Sequence, residues 1–355
     1  MVQNWFAKIL LFPFSLLYGV AITTRNLFYE TGVLKSTKFN IPVISIGNLS
    51  LGGAGKTPHV EYLVKQFLPY LNLGTISRGY KRKTKGFRFV FPQDNAQQVG
   101  DEPLMYKRKY RDLTVVVSEN RALAVPLMLK KYPGLQGIIL DDAFQHRGIV
   151  PGLNILLTTF DEPFTKDILL PSGRLREYRS SYERADIIII SKCSPSLSEN
   201  AREKMIKEIK PRNHQKLFFT YYNYFKPYSF YNPKDRIILD KSMDIILISA
   251  IADTQYLLDF LEGKVGSYHE LSYEDHHVFL ERDINYLNQV FKNRDTTNKI
   301  ILTTEKDAMR LDLLRNQISK YQLPIYILPV EVKFLFDQEI SFINSVKSFF
   351  LHFKV

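Results

Sequence analysis

The chain carries a single cysteine, Cys193, in 355 residues. That excludes an intrachain disulfide and a cysteine-rich metal centre, and it fits a reducing compartment. Zinc-finger spacing, nucleic-acid-binding modules and internal repeats are also missing, so nucleic acid is not expected as a partner. The most apolar segment, residues 5–22, offers 16 uncharged positions between Lys8 and Arg25, short of the ~20 that a spanning helix needs. A secretory signal fits poorly as well, since only Lys8 precedes the apolar core and no small-x-small cleavage site follows it.

What is present is the composition of a globular protein, 45% hydrophobic and 24% charged, long enough for two domains of ordinary size. A formal charge of +12 predicts attraction to something anionic, such as an acidic membrane surface or a phosphorylated substrate. The apolar start, residues 1–24, reads as a helix lying at a membrane interface. Trp5, Phe6 and Tyr18 are its candidate anchors at headgroup depth.

The strongest signal follows at residues 41–58, IPVISIGNLSLGGAGKTP. An apolar, β-branched run that breaks into glycines and closes on Gly-Lys-Thr reads as a buried strand, a phosphate loop and the first turn of a helix. Ser50, Leu51, Gly52, Gly53, Ala54, Gly55, Lys56 and Thr57 would wrap the phosphates of ATP. Lys56 can reach the outer phosphates, and the Thr57 hydroxyl can ligate Mg²⁺. Ser50 stands where such loops usually carry glycine. A second signal is residues 137–142, GIILDD, an apolar strand ending in Asp141 and Asp142. Those carboxylates would complete the nucleotide–Mg²⁺ site at the strand's carboxyl end.

Strand and helix patterns alternate along the rest of the chain, which predicts an α/β fold with a parallel, P-loop NTPase-like sheet and a second, smaller α/β domain. Residues 73–80 are expected as a short strand ending in a turn, and strands over 87–91, 113–117, 153–158 and 185–191, then over 244–249, 268–271, 299–304 and 325–330. Aromatic and proline crowding over 213–235 places the boundary near 215, giving a core domain over 25–215 and a smaller one over 216–355. A cleft between two such domains is a favoured ligand site. Asp101 and Glu102 open a helix, where acids commonly serve the helix dipole. The adjacent His276 and His277 follow Asp275. They are read three ways, as metal ligands, as a solvated helix start, or as a catalytic His–Asp arrangement.

Seven ordered blocks, IPVISIGNLSLGGAGKTP, SRGY, GDEP, LDDAFQHR, LRE, DHH and TTEKDA, span residues 41–308. With them the chain resembles the tetraacyldisaccharide 4′-kinases, membrane-associated enzymes of lipid A synthesis. Three positions depart from that family's usual residues: Lys81 for glycine, Tyr178 for proline and Glu274 for proline. The resemblance implies ATP-dependent phosphorylation of the 4′ hydroxyl of a glycolipid, a tetraacyldisaccharide 1-phosphate, at the cytoplasmic face of the inner membrane. It implies that Asp101 accepts the hydroxyl proton and that His276, aided by Asp275, orients Asp101 across the domain cleft. Arg78, Arg176 and Glu177 become candidates for substrate or phosphate contacts, and Gln145 and His146 lie close enough to the acidic pair to sense it. The competing expectation is a P-loop ATPase switch of the partitioning or metal-insertion type, which needs neither an acceptor site nor a membrane segment. Oligomeric state is left open.

Overall fold

The computed structural model describes residues 5–354, with side chains from Ala7 onward, and divides the chain into two units. The first comprises the chain up to Arg78, Asp112–Tyr222, and the stretch from Val332 onward; the second comprises Gly79–Arg111 and Asn223–Glu331. This differs from the single boundary near residue 215 expected from the sequence. The helix Asp101–Lys109 packs on the helix Glu305–Leu311, and Lys109 pairs with Glu305 at 2.9 Å. Residues 79–111 therefore join the later half of the chain. The closing helix, Glu339–Leu351, goes the other way into the first unit, where Tyr62 donates to Glu339 at 2.9 Å and Phe342 lies against Tyr62 and Phe218. Periodicity reports what an element is, and these side-chain partners decide which core it joins.

In the first unit, parallel strands lie in the order Lys216–Tyr224, Ile187–Ser191, Leu153–Thr159, Val43–Asn48, Gly137–Asp141, Leu73–Ser77 and Thr114–Val117. Val330–Phe334 flanks the first of them. The strands are near-continuous Ile, Leu and Val runs, as burial on both faces of a parallel sheet demands. Ile46 is in register with Asp141, and Ile76 with Leu140. The loop after Val43–Asn48, the acid pair after Leu140, and Arg78 after Ser77 consequently leave the sheet at one edge, the carboxyl edge where such folds bind ligands.

The first helix runs Trp5–Glu30, past the expected end at residue 24, because its docked face continues through Arg25 to Glu30. That docked face is the polar one. Ser15 donates to the Leu169 carbonyl at 3.1 Å, Tyr18 to the Arg176 carbonyl at 2.9 Å, and Arg25 to the Gln145 carbonyl at 2.7 Å. The outward face carries Leu10, Phe12, Phe14, Leu16, Leu17 and Val20, all exposed. The pattern is the reverse of a helix packed on a soluble core. Tyr18, expected to anchor at a membrane, instead turns inward to the Arg176 carbonyl; the Trp5 and Phe6 side chains lie outside the described residues.

The second unit holds a five-stranded sheet, Ser267–Ser272, Asp244–Ser249, Lys299–Thr304, Ile325–Leu328 and Tyr228–Ser229, parallel except for the last. Ile246, Ile248, Ile284, Leu287, Ile301 and Leu311 fill one of its cores. The segment Gly79–Arg111 turns on Gly100, whose φ of +91° disfavours a side chain and where an added Cβ would lie only 3.0 Å from the Gly79 backbone.

Candidate active site

The phosphate loop is held from behind. Gly55 caps the helix Lys56–Phe67 at φ +82°, a left-handed conformation that disfavours a side chain. Its carbonyl meets His59 Nδ1 at 2.7 Å, and His59 Nε2 meets the Thr220 hydroxyl at 3.0 Å. Ser191 donates to the Ala54 carbonyl at 2.8 Å. His59 is fixed as a neutral ring, because burial pushes it down to about 4. On the other side the loop pairs with the segment before Tyr178, with Leu51 N–H on the Arg174 carbonyl at 2.7 Å and Arg176 N–H on the Leu49 carbonyl at 2.8 Å. A helix N-terminus with its backbone pinned in this way is a ready anion site.

Lys56 lies at that site. Its ammonium donates to Asn48 Oδ1 at 3.0 Å and stands 3.5 Å from Asp142. Asp142 also receives Arg176 at 3.0 and 3.2 Å, and its backbone is left-handed at φ +46°. Burial alone would raise the Asp142 carboxyl, but Lys56, Arg176 and Arg121 hold it below the usual range. Asp141 ends its strand beside the Ser77 hydroxyl, at 3.4 Å. Gln145 closes the group, donating to the Asn48 carbonyl at 2.8 Å and accepting from Arg176 at 3.3 Å. The His146 ring is pushed down to about 4 by burial, with Arg121 and Arg25 adding to the effect.

The second unit carries the other half of the predicted chemistry. Asp101 opens its helix; Oδ1 accepts the Glu102 N–H at 2.9 Å and Oδ2 faces His276 Nδ1 at 3.0 Å. Both residues are buried or nearly so. Burial would push the Asp101 carboxyl up, yet the His276 hydrogen bond with Lys306 and Arg310 holds it well below the usual carboxylate range. His276 sits at φ +58°, a conformation costly for a non-glycine residue and often kept at functional sites.

Two expectations about this pair change. Asp101 and His276 belong to the same unit, because residues 79–111 fold with 223–331. Asp275 lies 3.8 Å from His276 Nε2, outside hydrogen-bond range, while Lys306 is at 3.1 Å. The two adjacent histidines have separate partners, since His277 Nε2 bonds Asp283 at 2.8 Å. Among the substrate candidates, Arg78 is exposed at the sheet edge and Arg176 joins the acid pair. Glu177 is fully buried, bonded to Arg184 at 2.5 Å and 3.7 Å from Arg25. It ties the segment after Arg174 to the first helix.

Sequence reasoning missed Asn48, Arg121 and Lys306. Asn48 stood in plain view within the loop motif. Arg121, which donates to the Asp141 and Asp142 carbonyls at 3.1 Å each, opens a helix with no motif around it. Lys306 sits inside TTEKDA, where only the likeness to a family, and no spacing rule, drew attention.

A phosphate loop and an acid pair at the carboxyl edge of a parallel sheet define a nucleoside-triphosphate-binding class, and the second unit adds a hydrogen-bonded Asp–His pair. Comparison with known proteins narrows the class. The family pattern described as LpxK, tetraacyldisaccharide-1-P 4′-kinase, matches residues 7–348. A tetraacyldisaccharide 4′-kinase of Porphyromonas gingivalis is 39% identical over 351 residues, 96% of this chain and 97% of that one. One of Flavobacterium psychrophilum is 39% identical over 345 residues, covering 97% and 98%. A crystal structure of LpxK from Aquifex aeolicus in complex with ATP superposes with a TM-score of 0.71 at 28% identity, covering 97% of this chain and 99% of that one. The chain belongs to the tetraacyldisaccharide-1-P 4′-kinase family and is a kinase of lipid A biosynthesis. The switch-ATPase expectation is set aside by a match that runs through the second unit and the first helix alike.

Proposed function

We propose that residues 50–57 wrap the ATP phosphates and that Asp101 accepts the proton of the attacking 4′ hydroxyl of a tetraacyldisaccharide 1-phosphate. The observation that carries this reading is that the chain holds two constellations, Lys56–Asp142–Arg176 at the loop of the first unit and Asp101–His276 within the second. The sugar oxygen forms its bond to the γ-phosphorus as its O–H proton passes to Asp101. The bond from phosphorus to the bridging oxygen breaks, and its electron pair leaves with ADP. A loose transition state asks little of the base, so a carboxylate held well below its usual range suffices to receive the proton late. Lys56 and Arg176 supply fixed positive charge for the phosphoryl oxygens.

The donor set suits Mg²⁺. Thr57, Asp141 and Asp142 offer hard oxygens at one sheet edge, and Mg²⁺ is commonly held by one or two carboxylates with substrate phosphates and water rather than by a closed protein cage. When bound there it supplies charge neutralisation between phosphates. In this reading Asp141, at the end of its buried strand, is the direct carboxylate ligand, and Asp142, paired with Lys56 and Arg176, places the two cations. Titrating Mg²⁺ against transfer rate tests this: Asp141→Asn should raise the Mg²⁺ concentration needed tenfold or more, whereas Asp142→Asn should lower the rate at saturating Mg²⁺. The reverse outcome exchanges the roles.

The first helix supports residence on a membrane surface. Contacts from Ser15 to Glu30 keep it along the protein while its apolar side faces out, which suits a helix lying in the interface on the side where ATP is available, the cytoplasmic face of the inner membrane.

A further inference from the structure

We propose that Lys306 is a positioning residue for phosphoryl transfer: its ammonium donates to His276 Nε2, which fixes the ring proton on Nδ1 and aims it at Asp101. This rests on the reading of Asp101 and His276 given above. Lys306 Nζ lies 3.1 Å from Nε2, and an ammonium has no lone pair, so Nε2 must provide one. The neutral ring's only N–H proton is then on Nδ1, 3.0 Å from the Asp101 carboxylate. Both ends of the imidazole agree on one tautomer.

The surroundings hold that ring in place. Tyr80 lies against it, with centroids 4.7 Å apart, and Lys81 donates to the carbonyls of Asp275 and His276 at 3.1 and 3.3 Å. Lys81 is itself left-handed at φ +54°, the conformation of the glycine usual there, and uses its side chain to fasten the strained His276 backbone. The charged groups facing the ring are Asp101 and Glu102 from one helix, Lys306 and Arg310 from another, and Asp275 and Lys81 from the adjoining turns. Lys306 is balanced by Glu102 at 3.2 Å and Asp275 at 3.6 Å. With Lys306 on Nε2, no lone pair is left for a second proton, and Asp101 faces a neutral donor. Without it, Nε2 keeps an open lone pair that a proton can take, and a charged ring at 3.0 Å would weaken Asp101 as a base.

The test is the pH profile of kcat/KM for Lys306→Met, Lys306→Arg, Glu102→Gln and His276→Gln, with ATP binding measured separately. Lys306→Met should move the acid limb up by about one unit, roughly a tenfold loss below neutrality that shrinks on the alkaline side, with ATP affinity unchanged. Lys306→Arg, which keeps a donor without a lone pair, should restore the profile. Glu102→Gln should leave it in place, because it removes only the balancing ion pair. A loss in Lys306→Met that is uniform across pH, or the same shift in Glu102→Gln, overturns the assignment, as does a ¹⁵N histidine spectrum showing the proton of His276 on Nε2. A fully active His276→Gln defeats the dyad itself, so the two failures are distinguishable.

Discussion

Replacing Asp101 by Asn changes one oxygen to an amide while preserving most of what Asp101 does for its helix. The Oδ1 contact to the Glu102 N–H at 2.9 Å survives in a carboxamide, so a merely capping role predicts near-normal activity. As a proton acceptor the amide is useless. General-base assistance is worth about 10²–10⁴-fold, or roughly 3–5 kcal/mol, and Asp101→Asn should lose that amount with ATP affinity intact. His276→Gln removes the ring held against Asp101 Oδ2, at 3.0 Å, and should lose a similar factor. Independent residues would multiply, giving about 10⁴–10⁸ in the double variant. One hydrogen-bonded unit should instead leave the double scarcely worse than the poorer single. Single-turnover transfer at saturating ATP, with nucleotide affinity measured apart, reads all three. An active Asp101→Asn or fully multiplicative losses would refute the dyad and leave the nucleotide site untouched.

Lys56→Ala should lower transfer by about 10²–10³-fold with little change in thermal midpoint, because Arg176 still pairs with Asp142 and no carboxylate is stranded. Near-normal transfer in that variant would reduce the loop to a turn. Phe14→Asp with Leu17→Asp alters two outward side chains, 58% and 69% exposed, and each apolar group buried in lipid is worth up to ~1.5–3 kcal/mol. Vesicle binding should fall at least tenfold without loss of folding, and unchanged partition would assign the anchoring to the basic surface alone. His59 gives a pH dependence with a definite sign. The unfolded ring takes a proton near 6.5 and the native one only at about 4, so stability is complete above 6.5 and declines as pH falls toward 4, by about 3 kcal/mol. Urea midpoints across that range should flatten in His59→Gln; an equal slope in the variant would remove His59 as the cause.

The sheet of the first unit is readable because most of its strands are short, apolar, β-branched runs, and residues 41–58 name their own ligand through composition. The motif residues then converge where register carries them, Ile46 opposite Asp141. What stayed hidden depends on partners far apart in sequence. Nothing local shows that the helix beginning at Asp101 packs on the one beginning at Glu305, 204 positions later, so the units were divided wrongly and the dyad was assigned to a cleft. Glu177, a contact candidate through the LRE block, is buried beside Arg184 and Arg25, partners that no local pattern announces. Tyr18 was read from amphipathic chemistry alone, while the Arg176 carbonyl gives its hydroxyl a partner within the protein. The first helix shows the same limit from the other side, since composition announces an apolar surface and only packing reveals that its polar stripe is the docked one.

In the proposed reaction a γ-phosphoryl group moves from the Lys56 loop to a sugar hydroxyl. Incubation with γ-labelled ATP and a lipid A precursor lacking its 4′ phosphate measures this directly. Label is expected in the lipid at the 4′ position, with ATP turnover dependent on that acceptor and lowered about a hundredfold or more in both Lys56→Ala and Asp101→Asn. Label released only as inorganic phosphate, at a rate indifferent to the lipid, would contradict it.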